Sequence, residues 1–325
     1  MEMDYINQEK IIKRAMKRDF NKLGVTLIAQ GFIANVIIFT VFIGAMIVKM
    51  IKDRGVSFEE LEQMTKNPSY LGILSIFSVI VAFIPILIYR GNKFYQYDLK
   101  IENRKFTLKT IIIGFVIVLA VNNILGVFAN VLELGLNSIG LTAAGALEDL
   151  EILNKSTPSM IIYTCIIAPI FEEFLYRGAV LRSFEKYGRR FAIIVSAMLF
   201  GLMHGNFYQI FMAAGIGIIL GYLATEYSIK LTIILHMINN TFVEVTTQFG
   251  SHINENIANA MNIGMIVISF IVLIVGIIYK RKAIKGWLEN NKMEKKIMLT
   301  FFTSITILII VAFDIIMVIT NIKPV

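Results

Sequence analysis

Apolar residues fall into nine runs separated by short polar stretches: 24–48, 70–89, 110–136, 159–181, 191–204, 207–224, 231–247, 258–279 and 298–320. Most approach the roughly 20 residues that a helix needs to cross a bilayer. The pattern predicts an all-α polytopic transmembrane helical bundle of about nine spans. Eight is the alternative, because the fifth and sixth runs are short and close together. The composition agrees, since 57% of the 325 residues are hydrophobic, 17% are charged and mean hydropathy is +0.72. A soluble domain is rarely so apolar.

The formal charge of +8 changes the picture only through its distribution. With the N-terminus inside, the inner segments (1–22, 90–109, 182–190, 225–230 and 280–297) hold 24 of the 31 Lys and Arg residues, whereas the outer segments hold six. Such asymmetry follows the positive-inside rule. It also argues against a nucleic-acid partner, because the cations are not gathered on one soluble module. The first span reads as a signal anchor, since it is long and lacks a small-residue cleavage site. Ile12, Met16 and Phe20 recur every four residues among cations, which suits either a helix on an anionic inner leaflet or a solvated basic tail.

Four regions follow: a cytoplasmic basic segment 1–22, spans one to three in 23–136, a core of spans four to seven in 159–247, and spans eight and nine in 258–325. The outer loop 137–158 carries Glu148, Asp149 and Glu151 and is expected to be a solvated loop, with a lid as the alternative. Ala213, Gly217 and Gly221 form a small-residue face suited to close packing within one subunit. The single cysteine, Cys165, excludes an intramolecular disulfide and a multi-cysteine zinc site and reads as a packing residue. His252 falls in an outer loop and reads as a surface residue. Glu133 and Asp314 are intramembrane acids to which the sequence assigns no role.

The core concentrates polar residues that hydrocarbon disfavours by at least a few kcal/mol, so they are expected to be paired and cavity-facing. In "FEEFLYRG", Glu173 and Arg177 are four apart with the acid first, the favourable order for an ion pair. Glu172 is rotated about 100° away, which leaves it free to act as a general base. Phe200 and His204 share one face of the next run, and His236 and Asn240 share one face of the seventh. At 1.5 Å per residue, Glu172 and His204 stand roughly 20 Å above the inner helix ends, Asn240 roughly 15 Å and His236 about 9 Å. Taken singly, each element has a structural reading: a fixed ion pair, an interfacial histidine, interhelical glue.

The ordered motifs Glu172-Glu173-x-x-x-Arg177, Phe200-x-x-x-His204 and His236-x-x-x-Asn240 resemble those of the CAAX-protease and bacteriocin-processing (Abi) family, which is related to the type II CAAX prenyl endopeptidase. The resemblance implies an intramembrane endopeptidase in which Glu172 and His204 activate water while His236 and Asn240 stabilise the oxyanion. Glu173, Arg177 and Phe200 would support them. It implies a peptide or membrane-associated protein substrate, with roles in peptide processing and in bacteriocin maturation or immunity. Metal-free glutamate catalysis is the expectation, and a zinc site of Glu172, His204 and His236 is the alternative. The non-enzymatic alternatives are a transporter or proton relay and an immunity or scaffold protein. The expected location is the bacterial plasma membrane, as a multi-pass protein.

Overall fold

The computed structural model describes residues 2–53, 67–145 and 157–325, together with Ser57, Glu60 and Gln63. Residues 146–156, with Glu148, Asp149 and Glu151, lie outside the described residues. All nine apolar runs are helical for most of their length. In chain order the helices are α1 (Glu2–Lys52), α2 (Pro68–Ala82), α3 (Ile84–Arg90), α4 (Leu108–Ser138), α5 (Pro158–Tyr187), α6 (Arg189–Leu202), α7 (Phe207–Glu226), α8 (Ile229–Gly250), α9 (Glu255–Asn290), α10 (Lys295–Phe302) and α11 (Ile305–Thr320). A two-residue antiparallel ladder joins Leu141–Thr142 to Lys323–Pro324.

Among the described residues six spans are long and apolar enough to cross a membrane, α2 and α3 counting as one, and a seventh arises if α10 and α11, bent by 71° at Thr303–Ser304, form one broken span. The other two predicted spans differ for physical reasons. Helix α6 is 14 residues long, about 21 Å at the helical rise, and α8 carries His236, Asn239, Asn240 and Glu244 in a length otherwise sufficient to cross. The remaining surface is as a bilayer requires. On α9 only Ser269 is buried, while Val267, Ile271, Ile274 and Ile278 are exposed.

The stripe of Ile12, Met16 and Phe20 does not lie on a separate surface helix. Helix α1 is continuous from Glu2 to Lys52, Ile12 is exposed, and Met16 and Phe20 are buried in protein. Phe20 stacks edge-on against Phe184 and Phe301 at 5.4 Å each and against Tyr187 at 5.1 Å. This cluster binds the basic ends of α1, α5 and α10 together. Close by, Arg90 forms two short bonds to the buried Asp98 and donates to Ser183 Oγ at 2.9 Å, so that the turn after α3 is fixed to α5.

Helices α6 and α7 pack closely through the small-residue face. A Cβ on Gly217 would stand 3.0 Å from Ala197 and 3.3 Å from the Phe200 ring, and one on Gly201 would meet Ile210 O at 2.6 Å. The face therefore serves packing within the chain. Gly217→Val is expected to force α6 and Phe200 outward and to cost about 1–3 kcal/mol, the usual range for overpacking. The check is a lowered thermal midpoint of the purified protein in detergent.

The Glu172–Glu173–His236 centre

Helix α5 is not a regular α-helix. Two π-helical stretches, Tyr163–Ile167 and Phe174–Val180, flank the acids, and such bulges are frequent at functional sites. In the first, Ala168 N–H donates to Tyr163 O, an i to i−5 bond. The next donor in that register would be residue 169, a proline without an N–H. Thr164 O is thereby left for another donor, and Asn240 Nδ2 supplies it at 3.0 Å from α8. In the second stretch, Ser196 Oγ of α6 donates to Tyr176 O at 2.7 Å. Each π-helical stretch is thus tied to a neighbouring helix.

Glu173 and Arg177 form the predicted ion pair, Oε1 to Nη1 at 3.0 Å, with neither side chain exposed. The same Oε1 accepts a bond from His236 Nδ1 at 3.0 Å. That donation places the proton on Nδ1 in a neutral ring and leaves Nε2 directed at Glu172, whose Oε2 is 3.7 Å away. Glu172 retains 20% exposure, against 6% for the His236 side chain and none for Glu173. The two glutamates therefore occupy opposite sides of one imidazole, a buried one that orients it and a more accessible one.

Phe200 is the apolar centre of the group. The Arg177 guanidinium lies 4.3 Å from its ring centroid, and the His204 and His236 rings meet it edge-on at 5.1 and 5.7 Å. A desolvated cation over an aromatic face is worth up to about 2 kcal/mol. His204 Nδ1 donates to Phe200 O at 2.9 Å, a carbonyl near the end of α6, where intrahelical donors run out. His204 Nε2 is then the lone-pair nitrogen of a neutral ring. The chain reverses at Gly205, whose φ of +56° lies in the left-handed region, and Asn206 caps α7 by accepting from Tyr208 N and Gln209 N. "His-Gly-Asn" is thus a helix stop, a reversal and a helix start, and it holds His204 at the end of α6.

The structure brings Glu172, Glu173, Arg177, Phe200 and His236 together, and His204 joins them through the Phe200 ring. Asn240 shares the face of α8 with His236, but one of its amide hydrogens is committed to Thr164 O. Among the described residues no group of three or more His, Cys, Asp or Glu side chains is placed to hold a metal ion. Sequence reasoning missed Thr164, Ser196 and the buried Asn239, which donates to Asn240 Oδ1 at 3.3 Å. Pro169 inside a span was the available signal for an unpaired carbonyl five residues earlier. Glu133 has a structural task, accepting from Thr142 Oγ1 at 2.6 Å and from Ala143 N. Asp314, on the terminal helix, lies within electrostatic reach of the Tyr176 phenol, as does Glu172.

These features define a multi-pass helical membrane protein with a carboxylate, imidazole and amide centre enclosed by its spans. Residues 154–242, which contain all three motifs, match the profile of the Rce1-like, type II CAAX prenyl endopeptidase family. Over 93 residues the chain is 30% identical to YdiL of Bacillus subtilis (strain 168), by its name a candidate membrane peptidase; the match covers 28% of this chain and 38% of that one. Over 155 residues it is 29% identical to the membrane-embedded CAAX protease MroQ of Staphylococcus aureus (strain USA300), covering 44% of this chain and 60% of that one. The chain thus spans less than two thirds of the length of these relatives. No solved structure matches. The resemblance to the CAAX-protease family is therefore carried by the segment that builds the polar centre, and the apolar helices with these relatives mark a multi-pass bacterial membrane protein.

Proposed function

We propose that the protein is an intramembrane endopeptidase whose water is activated by Glu172. The observation that carries this reading is the placement of Glu172 and Glu173 on opposite sides of His236, one partly accessible and one fully buried. Peptide hydrolysis needs a base for water, donors for the developing oxyanion and a proton for the leaving amine. Glu172 takes a proton from water as the oxygen attacks the scissile carbonyl carbon. The C–N bond then breaks, and the proton taken up passes to the departing nitrogen.

Glu173, held by Arg177, keeps His236 in the tautomer that directs Nε2 toward Glu172. Asn240 has a second amide hydrogen beyond the one given to Thr164 O, and this donor serves the oxyanion side, while His204, through its Nε2 lone pair, assists Glu172 in activating the water. The substrate class is a peptide or membrane-associated protein, and the biological class is peptide processing, including bacteriocin maturation or immunity. No step is routed through zinc, and the metal-free chemistry is part of the proposal.

The test is cleavage of a quenched peptide library by the purified protein in detergent, with and without a strong chelator. The expected result is cleavage at an undiminished rate in the chelator. Loss of cleavage that zinc restores would overturn the metal-free chemistry. Absence of cleavage across peptides that include membrane-anchored ones would overturn the peptidase reading and favour a non-enzymatic role.

A further inference from the structure

A groove of about 750 Å³ runs between α1 and α3. Arg18, Asn21 and Lys22 supply polar walls, and Val25, Pro85 and Ile88 apolar ones. Arg18 and Lys22 are one helical turn apart, both are exposed, and they stand just before the apolar run that begins at residue 24. Among the described residues neither is in an ion pair with a carboxylate, and the adjacent Asp19 is held by Lys186 and Tyr187 of α5. The apolar walls are accessible, with Val25 57% and Ile88 77% exposed.

We infer that this groove binds an anionic phospholipid, with the headgroup phosphate between Arg18 and Lys22 and an acyl chain along Val25, Pro85 and Ile88. Three features select this occupant. Two exposed cations that form no ion pair, only Arg18 feeling a carboxylate, that of Asp19, call for an anion, and basic pockets between spans on the positively charged side suit anionic headgroups. The apolar continuation requires a chain attached to that anion, which excludes a free phosphate as the natural ligand. The order of charged and apolar walls along α1 matches the passage from the membrane surface into hydrocarbon. A lipid seated there would also brace α1, whose Asp19 secures the basic end of α5. Neither the site nor its test depends on the peptidase reading.

The experiment is native mass spectrometry of the full-length protein in delipidated detergent, titrated with phosphatidylglycerol or with phosphatidylcholine of the same chains. Wild type is expected to bind phosphatidylglycerol about tenfold or more tightly than phosphatidylcholine. The Arg18→Gln/Lys22→Gln protein should lose most of that preference. A control, Arg281→Gln/Lys282→Gln on α9, removes two exposed cations outside the groove and should keep it. Lys22→Gln alone should show an intermediate loss and serves if the double variant fails to fold. Equal binding of the two lipids by wild type, or equal losses in the groove and control variants, would overturn the site. Displacement of phosphatidylglycerol by millimolar inorganic phosphate would reassign it to a free anion, whereas persistence of the lipid supports the proposal.

Discussion

Glu172→Gln is expected to lower kcat for peptide cleavage by about 10²–10⁴-fold, the range that a positioned general base contributes. The substitution keeps side-chain size and removes the proton-accepting charge. It should leave folding nearly intact, because Glu172 is partly exposed and stands 3.7 Å from His236 Nε2, beyond a true hydrogen bond. Initial rates on a fluorogenic peptide found in the library would measure the effect. A fall in kcat with little change in KM is the signature of a group needed in the transition state.

Arg177→Met should instead destabilise the protein by about 3–5 kcal/mol, the cost of removing one member of a buried ion pair. Arg177 is fully buried, pairs with Glu173 and covers the Phe200 ring. Its loss leaves a carboxylate with no exposure and no cation beside it, with only neutral partners such as His236. The double variant Arg177→Met/Glu173→Gln removes that uncompensated charge and is expected to be more stable than Arg177→Met alone. Thermal midpoints of the two proteins in one detergent decide the matter. A neutral Arg177→Met would show that the pair does not hold α5 in place.

Much of the architecture was legible because membrane helices announce themselves through long apolar runs, and all nine runs proved helical. The places that were not legible are those where tertiary packing overrides the local pattern. Met16 and Phe20 looked like a surface stripe, yet the ring cluster of Phe184, Phe191 and Phe301 turns them inward. The break at Thr303–Ser304 interrupts an apolar run with neither proline nor glycine to signal it.

At the centre, helical spacing foretold the Glu173–Arg177 pair, because residues four apart on one helix must meet. It did not foretell that His236 lies between both glutamates. Depth along each helix can be counted from sequence, whereas position within the membrane plane depends on how α5, α6 and α8 pack. The π-helical stretches in α5 were equally hidden, and they set the acids' final directions. Proline at 169 was the one local hint, and its consequence, Asn240 bound to Thr164 O, appears only when α8 is placed alongside.

The central claim is that Glu172 performs chemistry while Glu173 and Arg177 hold structure. It is tested most directly by measuring cleavage rate and thermal midpoint of Glu172→Gln against wild type in one preparation. The expected rate is lower by at least about a hundredfold, with the midpoint kept. An undiminished rate, or a rate that falls only in proportion to the loss of folded protein, would contradict it.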